Sequence, residues 1–152
     1  EGVVMHQQIR TSPYAVGQNI RRAAAALAAG GVNVEGVGPD YESPHARIVV
    51  PHEAFDAALK VLREGGFDPD PRHACTCALP HRPGHLSAVL ERLAEAGFDV
   101  ECVLVLASRL RGMTLVSIGV NREPTAIERE RLGCVEEPAG WIGGDIDEPA
   151  AS

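Results

Sequence analysis

The sequence predicts an α+β fold made of two tandem βαββαβ units, each an antiparallel sheet with helices on one face. Three observations carry that reading. The chain repeats itself with an offset of 66 residues; each copy opens with a helical apolar stripe that stops at glycine; and each stripe is followed by segments in which apolar and polar residues alternate. A length of 152 residues allows one ordinary domain or two small ones, so the repeat decides the domain count.

Laying residues 19–37 over 85–103 pairs Leu27 with Leu93, Gly31 with Gly97, Val34 with Val100, Glu35 with Glu101 and Val37 with Val103. The stripes Ile20, Ala23, Ala24, Leu27, Ala28 and Leu86, Val89, Leu90, Leu93, Ala94 share the i, i+3, i+4, i+7, i+8 spacing, which predicts helices over 18–29 and 85–96. Gly31 and Gly97 suit the left-handed turn past a helix end. Strands over 32–37 and 46–50 then flank a loop at 39–44 in copy one. In copy two, Val100, Cys102, Leu104 and Leu106 alternate with Glu101, Val103 and Val105, and after a connection at 109–112 Thr114, Val116, Ile118 and Val120 alternate with Leu115 and Ser117. Pro51, with Phe55, Ala58, Leu59 and Leu62 ahead of Gly65 and Gly66, predicts a second helix in copy one. Residues 68–79 read as extended, closing the first sheet and opening the second. The layout is ferredoxin-like and leaves one face of each sheet bare. The units span 1–69 and 70–133. The segment 123–133 has a thin apolar face in Ile127 and Leu132, and 134–152 is an acidic, Pro- and Gly-containing tail of weakly ordered composition, in which Trp141 and Ile142 are the residues able to dock.

A net charge of −7 argues against nucleic acid as a partner, and no apolar run approaches the ~20 residues of a membrane span. Four cysteines without a secretory start point to a reducing, cytoplasmic home, and the initial Glu1 reads as a remnant or a processed end. Cys75 and Cys77 share a strand face with Cys102 nearby, and His73, His81 and His85 flank the region; the spacing does not match structural zinc, so the cysteines read as small core hydrophobes and no metal is expected. No nucleophile elbow, P-loop or dinucleotide fingerprint occurs, so neither an enzyme nor a cofactor is expected. Glu35 and Glu101 fall opposite the apolar face of their strands, as solvated or interface carboxylates.

The most specific local feature is the turn His81, Arg82, Pro83, Gly84, His85, Leu86 between a predicted strand and the second apolar helix. Its geometry serves equally as a tight strand-to-helix connection or as a backbone anion site at a helix start. Residues 82–101, RPGHLSAVLERLAEAGFDVE, resemble the opening of an ACT domain, with Gly97, Phe98, Asp99, Val100 leading into the second strand; copy one carries Gly31, Val32, Asn33, Val34 at that place, while residues 12–17 depart from the turn motif. The resemblance covers about residues 5–122 and implies a tandem ACT protein that binds a small amino acid or similar carboxylate at paired units, and the bare sheet faces and exposed edges predict a homodimer. By carry-over, His81, Arg82, Pro83, Gly84, His85 and Leu86 border the ligand, its carboxylate meeting the backbone at Gly84, His85 and Leu86. Asp99 meets its ammonium, and Asn33 is the equivalent position in copy one. A regulatory sensor and a structural association module with a vestigial site both fit; a small enzyme using His81 or Cys75 ranks last.

Overall fold

The structure is a computed structural model in which residues 3–4, 6–11, 16–41 and 43–137 are described. The first unit contains β2 (His6–Arg10), α1 (Val16–Ala29), β3 (Gly36–Pro39), β4 (Ala46–Pro51), α2 (Phe55–Glu64) and β5 (Asp70–Arg72), in the sheet order β3-β4-β2-β5. The second contains β6 (Ala74–Leu79), α3 (His85–Glu95), β7 (Val100–Leu110), β8 (Met113–Val120) and α4 (Ala126–Leu132), in the order β6-β8-β7. All the pairings are antiparallel. The strands of the first unit thus take the split βαβ order the repeat predicts, and the α+β class holds. Two short strands, β1 (Val3–Val4) and β9 (Glu136–Glu137), pair with each other.

Alternation along the strands sorts residues to two faces. Ile9, Ile48 and Val50 face α1 and α2, where they bury with Ala23, Leu27, Ala58 and Leu62. Cys75, Cys77, Val116, Ile118 and Val120 face α3 and α4 and bury with Val89, Leu93 and Leu132. The opposite faces, bare in each unit alone, meet each other: Val49 packs with Cys102, Leu104, Leu106 and Leu115. The layers therefore run helix, sheet, sheet, helix. The predicted helical stripes hold at their centres, but Ala28, Ala94 and Leu86 are exposed, because a straight helix rotates the ends of a nine-residue stripe away from the sheet.

Two boundaries differ from the sequence reading. The strand after α1, β3, begins at Gly36 rather than at residue 32, because Val32 and Val34 are spent closing α1: the Val32 N–H donates to Leu27 O at 2.9 Å, and both side chains pack on the helix-side core. Of residues 134–137, read from composition as the start of a loose tail, 134 and 135 are held on the second sheet and 136 and 137 pair with β1. Cys134 pairs with Cys77, and the Val135 N–H donates to Thr76 O at 2.7 Å. Trp141, Ile142 and the part of the turn motif at 12–15 lie outside the described residues.

Candidate functional site

The turn that carries the second unit's motif is built on one glycine and two backbone hydrogen bonds. Gly84 is the N-cap of α3 at φ 93°, a left-handed conformation suited to glycine, and no side chain caps the helix there. Arg82 N–H donates to Pro80 O at 2.8 Å, and Ala88 N–H returns to Gly84 O at 3.0 Å, which fixes the turn against the strand end. Beside it lies an open cavity of about 340 Å³, walled by His81, Arg82, Pro83, His85 and Leu86 and floored by Leu79, Pro80 and Thr114. Its lining brings a guanidinium and two imidazoles together with no carboxylate. An uncapped helix start adds a partial positive charge to the same rim. The arrangement can hold an anion such as a carboxylate.

A second polar assembly lies between the two sheets. Arg47 on β4 is fully buried; its Nε donates to Asp40 Oδ1 at 2.8 Å, Nη1 to Gln8 Oε1 at 2.8 Å and Nη2 to Glu101 Oε1 at 2.8 Å. Burial works against this charge, but the bonds to Glu101 and Asp40 outweigh it and hold the guanidinium above its ordinary value. Burial likewise opposes the Asp40 carboxylate; bonds from Ser43 and Arg47 win and lower it. Arg72 reaches Glu101 from β5 at 3.1 Å, and Gln8 Nε2 donates to Ser117 Oγ at 2.8 Å from the first sheet to the second. Glu101 can enter this space because β7 bulges between Val100 and Cys102, which leaves Glu101 without a ladder partner. Glu35, its repeat equivalent, is lowered by the His6 ring, whose Nε2 stands 3.4 Å away, against burial, and also accepts from the Ser108 amide.

The two glutamates mark an internal pseudo-symmetry. Tyr41 N–H donates to Glu101 O at 2.9 Å, and Ala107 N–H donates to Glu35 O at 2.8 Å. Both the donors and the acceptors are 66 residues apart, so the same backbone bond forms twice, in opposite directions, across the inter-sheet contact.

No protein-family model matches the sequence, and no curated protein does. Solved structures match it in fold. The regulatory subunit of aspartate kinase from Thermus thermophilus, in its ligand-free form, superposes with a TM-score of 0.59 at 16% identity over 86% of this chain and 88% of that one. Protein BT0572 from Bacteroides thetaiotaomicron gives 0.57 at 18% identity, over 86% and 87%. A structure of aspartokinase alpha and beta subunits gives 0.56 at 15% identity, over 87% and 95%. The chain has the tandem ACT fold.

Within the ACT frame, the motif residues of the second unit do not all gather at one place. His81, Arg82, Pro83, His85 and Leu86 wall the cavity and Gly84 shapes it, but Asp99 stands beyond the C-terminal end of α3, where its N–H donates to Asn121 Oδ1 at 2.9 Å and its carbonyl accepts from the Asn121 N–H at 3.2 Å. Asn33 is exposed just past α1 and does not line the cavity. One ACT unit therefore presents the two halves of the motif at opposite ends of its helix. Sequence reasoning missed Leu79, Pro80 and Thr114; the pairing of Leu79 with Thr114 follows from strand register, which periodicity alone does not set. The cysteines differ from the reading as unlinked hydrophobes: Cys75 forms a disulfide with Cys134, while Cys77 and Cys102 are free and buried. Among the described residues, no cluster of three or more His, Cys, Asp or Glu side chains is arranged to hold a metal ion, and no helix is long and apolar enough to cross a membrane.

Proposed function

We propose that the protein is a regulatory module, without catalytic activity, that binds a small amino acid or a similar carboxylate beside the turn at Gly84. The observation that carries this is the cavity at the uncapped start of α3, lined by Arg82, His81 and His85 and free of acidic side chains. The helix start favours an anion by about 0.3–1 kcal/mol when exposed, so the ligand's second polar group needs its own partner. Asp99 of the same unit is too far along the helix to supply it. In this reading, a second copy brings its Asp99 or Asn33 to the open side of the cavity, which makes ligand affinity depend on a homodimer. The two sheet faces that invited association are already occupied by each other within one chain, so the second copy would meet an edge or the exposed Val37, Tyr41 and Val105 instead. A cytoplasmic setting and contact with a regulated enzyme belong to the same reading; nucleic acid, membrane and cofactor are not partners in it.

Thermal shift against the proteinogenic amino acids identifies the ligand, since binding to the native state raises stability. Calorimetry then compares the wild type with Gly84→Ala and Gly84→Asp. The space around Gly84 is open, so Gly84→Ala reports only the cost of a side chain at positive φ, whereas Gly84→Asp adds a like charge at the rim. Lost binding in Gly84→Asp with retained binding in Gly84→Ala is the expected result. Equal affinity in all three folded proteins places the site elsewhere. Light scattering at several concentrations should give twice the 16.1 kDa of one chain, and a constant monomer mass removes the shared-site reading.

A further inference from the structure

We propose that the Cys75–Cys134 disulfide is a redox site: a small dithiol or dithiol protein reduces it, and segment 134–137 then leaves the outer edge of β6. The disulfide joins the second residue of β6 to the second residue past α4. Without it, the strap is held to β6 by few bonds. It touches β6 through the Cys77–Cys134 backbone bridge and the Val135 N–H bond to Thr76 O, the Cys134 N–H donates back to Arg129 O at the end of α4, Cys134 and Val135 pack at the margins of the two cores, and its end pairs with the two-residue β1. On its other side, β6 is secured to β8 by a continuous register from Ala74 to Leu79. Reduction therefore frees one edge of β6 and leaves the sheet standing.

The surroundings of the two sulfurs give the reaction a direction. Cys75 is fully buried and Cys134 partly exposed, so an incoming thiolate reaches Cys134 Sγ. A bond forms between the reductant sulfur and Cys134 Sγ, the Cys75–Cys134 bond breaks, and Cys75 departs as a thiolate that takes up a proton. The reductant's second thiolate attacks its own sulfur in the mixed disulfide and releases Cys134, which is protonated in turn. The reductant leaves as its disulfide, two electrons poorer, and the protein gains two thiols. Cys77 Sγ lies 3.7 Å from Cys75 Sγ, and because Cys75 carries no proton in the disulfide, Cys77 is the donor. Burial pushes the Cys77 thiol up to about 11, so it keeps its proton and donates to the departing sulfur without competing as a nucleophile. A cavity of about 190 Å³ bounded by Cys77, Leu79, Val89, Leu132 and Gly133 adjoins the start of the strap.

The test uses the full chain without any ligand, so its outcome is separate from the binding reading above. Protein equilibrated with oxidised glutathione and then denatured should show two titratable thiols, and protein treated with dithiothreitol should show four. Native-state hydrogen exchange should find the Val135 amide at least about tenfold faster in the reduced form, with α1 and α2 unchanged. Cys134→Ser should reproduce the reduced pattern, and Cys102→Ser should leave the response intact. If Cys134→Ser does not fold, the wild-type comparison decides by itself. Four thiols after oxidation, or equal exchange at 134–137 in both states, overturns the proposal.

Discussion

Arg47 places a buried cation among Asp40, Glu101 and Gln8, with the partly exposed Arg72 a second cation on Glu101, so the cluster is held by mutual compensation more than by net gain. Removing Arg47 alone leaves Asp40 with the Ser43 hydroxyl and Glu101 with the partly exposed Arg72, so both buried carboxylates lose their central partner. Arg47→Ala should therefore cost about 3–5 kcal/mol in urea unfolding, far more than an exposed ion pair would. The folded-state values of Asp40 and Glu35 lie below their ordinary 3.8 and 4.5. Their contribution is fully present above those values and is lost as pH falls through the lower folded ones. The stability curve should fall in that acid range, and Arg47→Ala should alter its shape; an unchanged slope would show that the cluster does not couple to protons. None of this was legible from residue type alone. Gln8 and Arg47 occupy the polar positions of alternating strands, where a single sheet would offer water, and a second sheet stands there instead.

The four helices within the described residues end alike. Gly31, Gly66, Gly97 and Gly133 adopt positive φ, and the next residue's N–H donates back to Leu27, Leu62, Leu93 or Arg129. Those glycines punctuate the sequence clearly, which is why the helices were readable while β3's start and the bulge at Glu101 were not: bulges answer to the partner strand, not to periodicity. The thin apolar face of α4 is offset by a capping box, in which Thr125 Oγ1 accepts from Glu128 N–H and Glu128 accepts from Thr125 N–H. Thr125→Ala should cost about 1 kcal/mol. Bonds from Arg122 first, then the Thr125 backbone, lower Glu128 to about 2, so the cap should persist below pH 4.5 and fray as pH approaches 2, followed by exchange of the α4 amides. A Cβ at Gly119 would stand 2.7 Å from both Arg47 Nη1 and Cys102 Sγ. Gly119→Ala should destabilise by about 1–3 kcal/mol, and a neutral result in chemical denaturation would mean that the sheets separate more readily than their packing suggests.

For the molecule as a whole, the apolar contact of Val49 with Leu104, Leu106 and Leu115 and the Arg47 cluster belong to both units at once. Thermal unfolding should be a single transition seen identically by calorimetry and far-UV dichroism, and residues 1–72 expressed alone should lose that cooperative transition, since they would expose Val49, and Arg47 without its bond to Glu101, to water. Two separate melts in the full chain would refute this. The doubled backbone bond between Glu35 and Ala107, Tyr41 and Glu101 has a further meaning. By strand pairing, Gly38 faces Arg47 in the first sheet, and Leu104, 66 positions later, faces Ser117 in the second. Two identical chains meeting about such an axis would have to set arginine near arginine. Covalent fusion releases each half from copying the other, so one side can keep the cation while the other keeps a hydroxyl and a glycine to receive it, and the axis survives in the backbone after it has been abandoned in the side chains.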